Sequence, residues 1–169
     1  PPGPAPGWSR WHQRLHRHLL HQPHLLPAGE RLLLAVSGGQ DSMALAGLLA
    51  DLRRLHHWQL WLWHGNHGWR PEADGQAAEL ARWAEARGLP LACERAEPAP
   101  AGEAAARHWR YQRLAALAGR HGCPVVVTGH TASDRAETVL LQMARGSHRR
   151  GLASLRDRRP LQADGAERW

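Results

Sequence analysis

Residues 31–52 place three segments back to back: a continuous apolar run, a Ser-Gly-Gly break and an apolar-periodic stretch. Arg31-Leu-Leu-Leu-Ala-Val36 has the look of a strand buried on both faces, as in a parallel sheet. Ser37-Gly-Gly39 ends it, and Asp41 opens a helix through Met43, Leu45, Leu48, Leu49 and Leu52. The same alternation recurs. Trp58–Trp63 is a strand ending in His64-Gly-Asn-His-Gly68, Glu72–Arg87 is a helix stopped by Gly88, and Leu89–Cys93 is a weak third strand. Pro98–Gly102 is a loop, Glu103–His121 a long helix and Val125–Thr128 a β-branched strand. Gly129-His130 turns the chain into a helix running to about Arg145, after which 146–159 have little periodicity. Ahead of all this, Trp8–Leu26 has helical spacing and is ended by Pro23 and Pro27. Strands alternating with helices predict an α/β, three-layer sandwich with a mainly parallel sheet flanked by helices.

Composition supports a packed core. Of 169 residues, 43% are hydrophobic and 22% charged, which fits one soluble domain or most of one. No apolar run reaches transmembrane length, so no membrane partner is expected. With no Phe, one Tyr and nine Trp, the aromatic part of the core must be mostly indole. All 22 basic residues are arginine, and the net charge is +7. Such a surface attracts polyanions, with nucleic acid first among them, although codon bias alone would also turn lysines into arginines. Cys93 and Cys123 form no CxxC motif and read as buried small residues in a reducing cytoplasm. His12 and His16 have i, i+4 spacing without a third metal ligand, and read as surface histidines.

In an open parallel sheet, ligands bind beyond the carboxyl ends of the strands. Three polar clusters follow strand ends here, Ser37-Gly-Gly-Gln-Asp-Ser42, His64-Gly-Asn-His-Gly68 and Thr128-Gly-His130, and they should meet in one crevice. The first is the informative one. Its glycines allow a tight turn and close backbone approach. Free amides and the positive dipole end of the helix make an anion cradle, to which the Ser37 and Ser42 hydroxyls add donors. Asp41 would cap the helix or help hold Mg²⁺. The lysine of a Walker loop is missing, as is a GxGxxG fingerprint. A cradle of this kind suits the pyrophosphate part of ATP, with cleavage between the α- and β-phosphates.

SGGQDS resembles the pyrophosphate-loop signature of the N-type ATP pyrophosphatases. Further motifs resemble one group of them, the tRNA(Ile)-lysidine synthetases. His64-Gly-Asn-His-Gly-Trp-Arg70 looks like HxNHGLR, and Glu103-Ala-Ala-Ala-Arg107-His-Trp-Arg110-Tyr111 looks like ExxARxxRY. The segment from Thr128 through Asp134, Glu137 and Arg145 to Leu155 looks like TGHxxDDxxETxLLxLxRGSGxxGLxGM. The motifs occur in family order over roughly 31–155. Ser133 stands where many members have the first Asp of a pair, Trp69 replaces a usual Leu and His148 a usual Gly.

The resemblance implies a pyrophosphatase-type (PP-loop) domain over 30–169, preceded by a leader and N-terminal helix over 1–29 and lacking the family's C-terminal tRNA-recognition domains. It implies ATP and Mg²⁺ as cofactors, free L-lysine and tRNA(Ile) with a CAU anticodon as partners, and cytoplasmic action, with the oligomeric state open. ATP would adenylate the wobble cytidine, and the lysine amine would then displace AMP to give lysidine. Ser37, Gly38, Gly39, Gln40, Asp41, Ser42, His64, Asn66 and Gly129 are the expected nucleotide contacts. Asp41, His130, Asp134 and Glu137 are the expected catalytic set, with Asp41 and Asp134 on Mg²⁺. His67, Arg70, Arg107, Arg110, Arg145, Arg149 and Arg150 are expected to face tRNA, with Arg156, Arg158 and Arg159 extending a basic tail. Each has a plainer reading: first-turn acids favoured by the helix dipole, polar turn residues or solvated arginines. The rival functions are a sulfur-transferring tRNA enzyme of the 2-thiocytidine type, which would need paired cysteines, an amidotransferase synthetase, and a non-catalytic ATP- or RNA-binding module.

Overall fold

The computed structural model describes residues 8–69, 73–129 and 161. Its elements run α1 (Arg10–His21), β1 (Arg31–Ala35), α2 (Gln40–Leu52), β2 (Gln59–Asn66), α3 (Ala73–Ala86), β3 (Leu91–Arg95), α4 (Glu103–His121) and β4 (Val125–Thr128). The four strands form one parallel sheet in the order β3-β2-β1-β4. From β1 the chain steps outward through β2 to β3, then crosses back to place β4 on the other side of β1. Strand order therefore reverses at β1. With right-handed crossovers, that reversal sends α4 to the face opposite α2 and α3.

The run Leu32-Leu33-Leu34 shows why the sheet needs both layers. Side chains alternate along a strand, so Leu32 and Leu34 pack with Leu19, Ala46, Leu49, Leu80 and Ala84 from α1, α2 and α3. Leu33 faces the other way, onto Trp63, Leu114 and Leu117. All three leucines are at most 2% exposed, and burying each contributes about 1.5 to 3 kcal/mol. The three-layer α/β expectation agrees with this arrangement.

The indole core also takes shape as expected, and each buried indole needs a partner for its N–H. Trp58 Nε1 donates to the Pro27 carbonyl at 2.9 Å, and Trp63 Nε1 donates to Glu94 at 2.9 Å. The long helix α4 has the bounds read from sequence because glycine punctuates both ends. Gly122, at φ 61, takes the left-handed position that closes it.

Several boundaries and environments differ from expectation. α1 is shorter than 8–26, starting after Ser9, whose backbone and hydroxyl join with His12 in a capping box. β3 lies two residues later than expected. His12 and His16 are not surface histidines: His12 Nε2 meets Asp51 at 3.1 Å, and His16 Nδ1 meets His56 Nε2 at 3.0 Å. They tie α1 to α2 and the turn after it. Cys123 is buried as expected, but Cys93, on β3 at the edge of the sheet formed by the described residues, is exposed.

Candidate functional site

In a parallel sheet all the strand-end loops emerge on one edge. The loop after β1 carries the expected cradle. Gly38 has φ +85, a conformation that other residues rarely adopt. That twist aims the chain into α2, whose N-cap is Gly39 with no side-chain cap. Asp41 is therefore not the cap expected from sequence: glycine occupies that position, and Asp41 lies in the first turn, exposed beside the positive end of the helix dipole. No side chain of the N-cap covers the opening amides, so they suit an anion.

The two hydroxyls brace the loop. Ser42 is 7% exposed, and its Oγ donates to the Gly39 carbonyl at 2.9 Å. With that proton committed, Ser37 Oγ donates to Ser42 Oγ at 3.0 Å. Ser37 Oγ in turn accepts from the Gly39 amide at 3.4 Å. Ser37, Gly39, Gln40 and Asp41 remain exposed. The loop is thus built from inside by Ser42 and presents its outer groups to solvent.

Gly129, directly after β4, closes on this turn from the other side of the strand-order reversal. A Cβ there would lie 3.0 Å from Ser42 Cα and 3.2 Å from Ser42 Cβ. The His64–Gly68 cluster contributes from β2, which runs three residues further than its apolar sequence suggests. His64, Gly65 and Asn66 are strand residues paired to Cys93, Glu94 and Arg95, so the cluster is partly within the sheet and not wholly after it. His64 is 3% exposed, and its Nδ1 donates to the Val36 carbonyl at 2.8 Å, one residue before the cradle. The three clusters do converge as far as Gly129.

Asn66 is placed at the edge but is engaged within the fold. Its amide donates to Asp74 at 2.7 Å, its Oδ1 accepts from the Gly68 amide at 2.8 Å, and Arg95 contacts the same Asp74 at 3.2 Å. His67 accepts from Arg110 at 3.3 Å and leans on Trp69 and Trp109. Burial first, then Arg110, lowers the pKa of His67 against the opposing pull of Glu103, which favours the neutral ring. Arg107 stacks over Tyr111 at 5.2 Å. Arg107 and Arg110 thus lie on α4, with Arg110 turned to the β2 edge.

Sequence reasoning missed a second layer of this edge. Arg113 donates to Glu94, with Nε at 2.9 Å from Oε2, where the Trp63 indole also donates. Arg113 and, next, the Trp63 indole lower the Glu94 pKa, burial acting against them. Glu94 and Arg113, with Arg95, Glu97 and Trp109, line a cavity of about 350 Å³ at the carboxyl end of β3. A second cavity, between the far ends of α2 and α3, opens on the opposite edge, away from the cradle. Gly65 is a further hidden requirement, since a Cβ there would overlap the Trp63 and Trp109 rings. Only the isolated glycine in an apolar-aromatic run signalled it.

Arg70, His130, Ser133, Asp134, Glu137, Arg145, Arg149, Arg150, Arg156, Arg158 and Arg159 lie outside the described residues. Among the described residues, no three His, Cys, Asp or Glu side chains gather to hold a metal ion. None of the described helices is long and apolar enough to cross a membrane.

A family model described as the PP-loop domain matches residues 11–166. The chain belongs to the PP-loop domain family. This PP-loop chain is 55% identical over 167 residues to a tRNA(Ile)-lysidine synthase of Parasynechococcus marenigrum, covering 96% of the chain and 49% of that protein. It is 52% identical to the enzyme of the same name from a Synechococcus species, covering 91% of the chain and 47% of the relative. A Prochlorococcus marinus relative of that name is 44% identical, over 92% of the chain and 48% of its own length. The PP-loop chain therefore spans about half the length of these curated relatives. Among solved structures, the U34-tRNA thiolase NcsA of Methanococcus maripaludis, with its [4Fe-4S] cluster, superposes with a TM-score of 0.68 at 16% identity. That match covers 82% of this chain and 51% of the thiolase, and at such identity it speaks to the fold alone.

Proposed function

We propose that this PP-loop domain carries the ATP-consuming chemistry of a tRNA(Ile)-lysidine synthase acting in the cytoplasm. The observation that carries the reading is the 55% identity to a protein of that name across nearly the whole chain. The site supports the first half of the reaction. Attack on the α-phosphorus of ATP by the ring carbonyl oxygen of the wobble cytidine forms a C–O–P bond and breaks the bond to pyrophosphate. The charge growing on that leaving group meets the amides at Gln40 to Ser42 and the dipole of α2. The second half has the ε-amine of free L-lysine attack the activated ring carbon. A C–N bond forms, AMP leaves with the oxygen, and a base takes the amine proton.

The described residues fit Mg²⁺ only partly: Asp41 offers one exposed carboxylate at the cradle, and Asp134 is proposed as its partner. Bound there, Mg²⁺ would supply charge neutralisation to the phosphates. His130, Glu137 and Asp134 are proposed to complete the catalytic set, Asp134 facing the ion or the lysine amine. Ser37, Gly38, Gln40, His64, Asn66 and Gly129 are proposed to shape the nucleotide pocket. Of these, Asn66 would act through its bonds to Asp74 and Gly68. His67, Arg70, Arg107, Arg110, Arg145, Arg149 and Arg150 are proposed to face the anticodon arm of tRNA(Ile), with the salt-sensitive binding that phosphate contacts bring.

The test is an assay of the full-length protein containing this domain, with ATP, Mg²⁺, lysine and a tRNA(Ile) transcript with a CAU anticodon. AMP release and lysine incorporation should depend on one another and fail with the methionine tRNA sharing that anticodon. ATP binding without lysine-dependent turnover would overturn the proposal.

A further inference from the structure

The helix ahead of the cradle, α1, has two unlike faces, and only one of them is spent on the fold. Inward, Leu19 is 4% exposed and packs with Leu15 into the core shared with α2 and α3, while His12 meets Asp51 and His16 meets His56. Outward, Arg10, Arg14 and Arg17 stand at i, i+4 and i+7 with His21 at i+11, all exposed. That spacing makes one stripe running about 16 Å along the helix. Among the described residues no carboxylate pairs with any of the three guanidiniums. Two of them instead flank the ring of Trp11, Arg10 at 5.0 Å and Arg14 at 6.0 Å from its centroid, and that indole is itself 51% exposed. Contacts of this kind restrain the arginines before any ligand arrives.

Neither helix stability nor composition accounts for the stripe. The dipole of α1 favours acids in its first turn, which has none and carries Arg10. Codon bias would turn lysine into arginine, yet it does not clear acids from a segment. The first 29 residues contain no Asp or Glu, against 15 in the whole chain. Positive charge facing water without counter-charge is the footprint of a polyanion. An anionic membrane would ask for an apolar stripe to insert. In α1 that stripe, Leu15 and Leu19, is committed to the core, leaving Trp11 and Leu20 on opposite flanks as its exposed large apolar side chains.

We infer that the outer face of α1 is a docking strip for the phosphate backbone of the substrate RNA, gripped by Arg10, Arg14 and Arg17. Guanidinium forks bind phosphate oxygens in pairs, and such contacts set position without reading sequence. The inference rests on the proposed action on tRNA(Ile). It adds a second RNA surface, on the other side of the sheet from the α4 arginines Arg107 and Arg110.

The test measures tRNA binding by the full-length protein containing this domain across a series of salt concentrations. The logarithm of affinity falls with that of salt in proportion to the phosphates neutralised. Replacing Arg10, Arg14 and Arg17 together by glutamine should make that line shallower by about two to three units of slope. Over about one decade of salt, two units amount to a loss of roughly a hundredfold. Each single variant, such as Arg14→Gln, should remove about one unit, so a triple variant that misfolds still leaves a measurement that decides. Arg54→Gln, Arg82→Gln and Arg87→Gln combined remove the same charge from exposed arginines elsewhere and should leave the line near that of the parent. The loss should be the same for tRNA(Ile) and for the methionine tRNA sharing its anticodon, because the backbone is common to both.

Parallel lines for the parent and the α1 variants would overturn the inference, and so would an equal change in the control. A loss confined to tRNA(Ile) would overturn it in favour of sequence reading. Phosphatidylserine vesicles that bind the parent and not the triple variant, while tRNA binding stays alike, would overturn it in favour of a membrane. A protein that makes lysidine with parallel lines refutes the strip alone. One with the shallower line that makes no lysidine refutes the proposed function alone.

Discussion

Replacing Gly129 by alanine is the sharpest test of how the cradle is held. The new methyl carbon would stand 3.0 Å from Ser42 Cα and 3.2 Å from Ser42 Cβ, where carbon atoms prefer about 3.5 to 4.0 Å. Gly129 carries no positive φ, so the conflict is steric and not conformational. The atom struck hardest is backbone in the first turn of α2 and cannot rotate away. Relief therefore requires β4 and the cradle to part by roughly half an ångström, at the scale of over-packing, about 1 to 3 kcal/mol. For a chain of this size that is a fall in Tm of roughly 2 to 12 °C. ATP affinity should fall about tenfold, because Ser42 carries the bonds that set the loop. Gly47→Ala in the same helix is the matched control. Nothing lies within 4 Å of its added carbon, so it should stabilise by about 0.5 to 1 kcal/mol and leave ATP binding unchanged. Thermal denaturation and calorimetric ATP titration on both variants decide the matter. A Gly129→Ala protein with the parent Tm and affinity would refute the claim that this contact positions the cradle.

Two further predictions concern pH. The Glu94 pKa is held below its ordinary 4.5, chiefly by the Arg113 bond, so its contribution is present above 4.5 and is lost as pH falls through the lowered value. Urea midpoints should drop along that acid limb, and Glu94→Gln should flatten the drop and cost roughly 1 kcal/mol near neutrality; an unchanged limb would count against the clamp. His56 has its pKa lowered by burial first, then by His16 and His57. The unfolded chain therefore binds the extra proton, and stability should fall as pH drops below the ordinary 6.5. That loss should be seen first as faster amide exchange in α1, since the neutral His16–His56 bond joins it to the body; His56→Gln should abolish the pH dependence, and exchange rates that ignore pH would sink the account.

Much of the scaffold was legible because the physics was local. Leu32-Leu33-Leu34 and Val125-Val126-Val127 could serve only as buried strands, and Gly102 and Gly122 marked the ends of α4. The extension of β2 was not legible, since glycine and asparagine are poor strand formers. Pairing with β3 imposes strand geometry on Gly65 and Asn66 from outside the segment. The environments of His12 and His16 were hidden for a related reason: their partners Asp51 and His56 are about 40 residues away. At the candidate site the cradle was readable from Ser37 to Ser42, down to its lack of a Walker lysine. The spacing of Asp41 did not reveal that Gly39 takes the cap. Asn66 could be placed near the site from its motif, but its engagement with Asp74 and Arg95 depends on α3 and β3 meeting in space.

The indoles give the interior a direction. Trp58 is fastened to the Pro27 carbonyl, Trp63 to the Glu94 carboxylate and Trp69 to the Pro100 carbonyl. In each case a ring binds a segment about thirty residues distant. Phenylalanine would fill much of the same volume yet leave those oxygens without their donor. Drift at these positions is consequently tied to the distant segments they clasp, and a lineage rich in tryptophan cannot exchange its aromatic rings one at a time without loosening its loops.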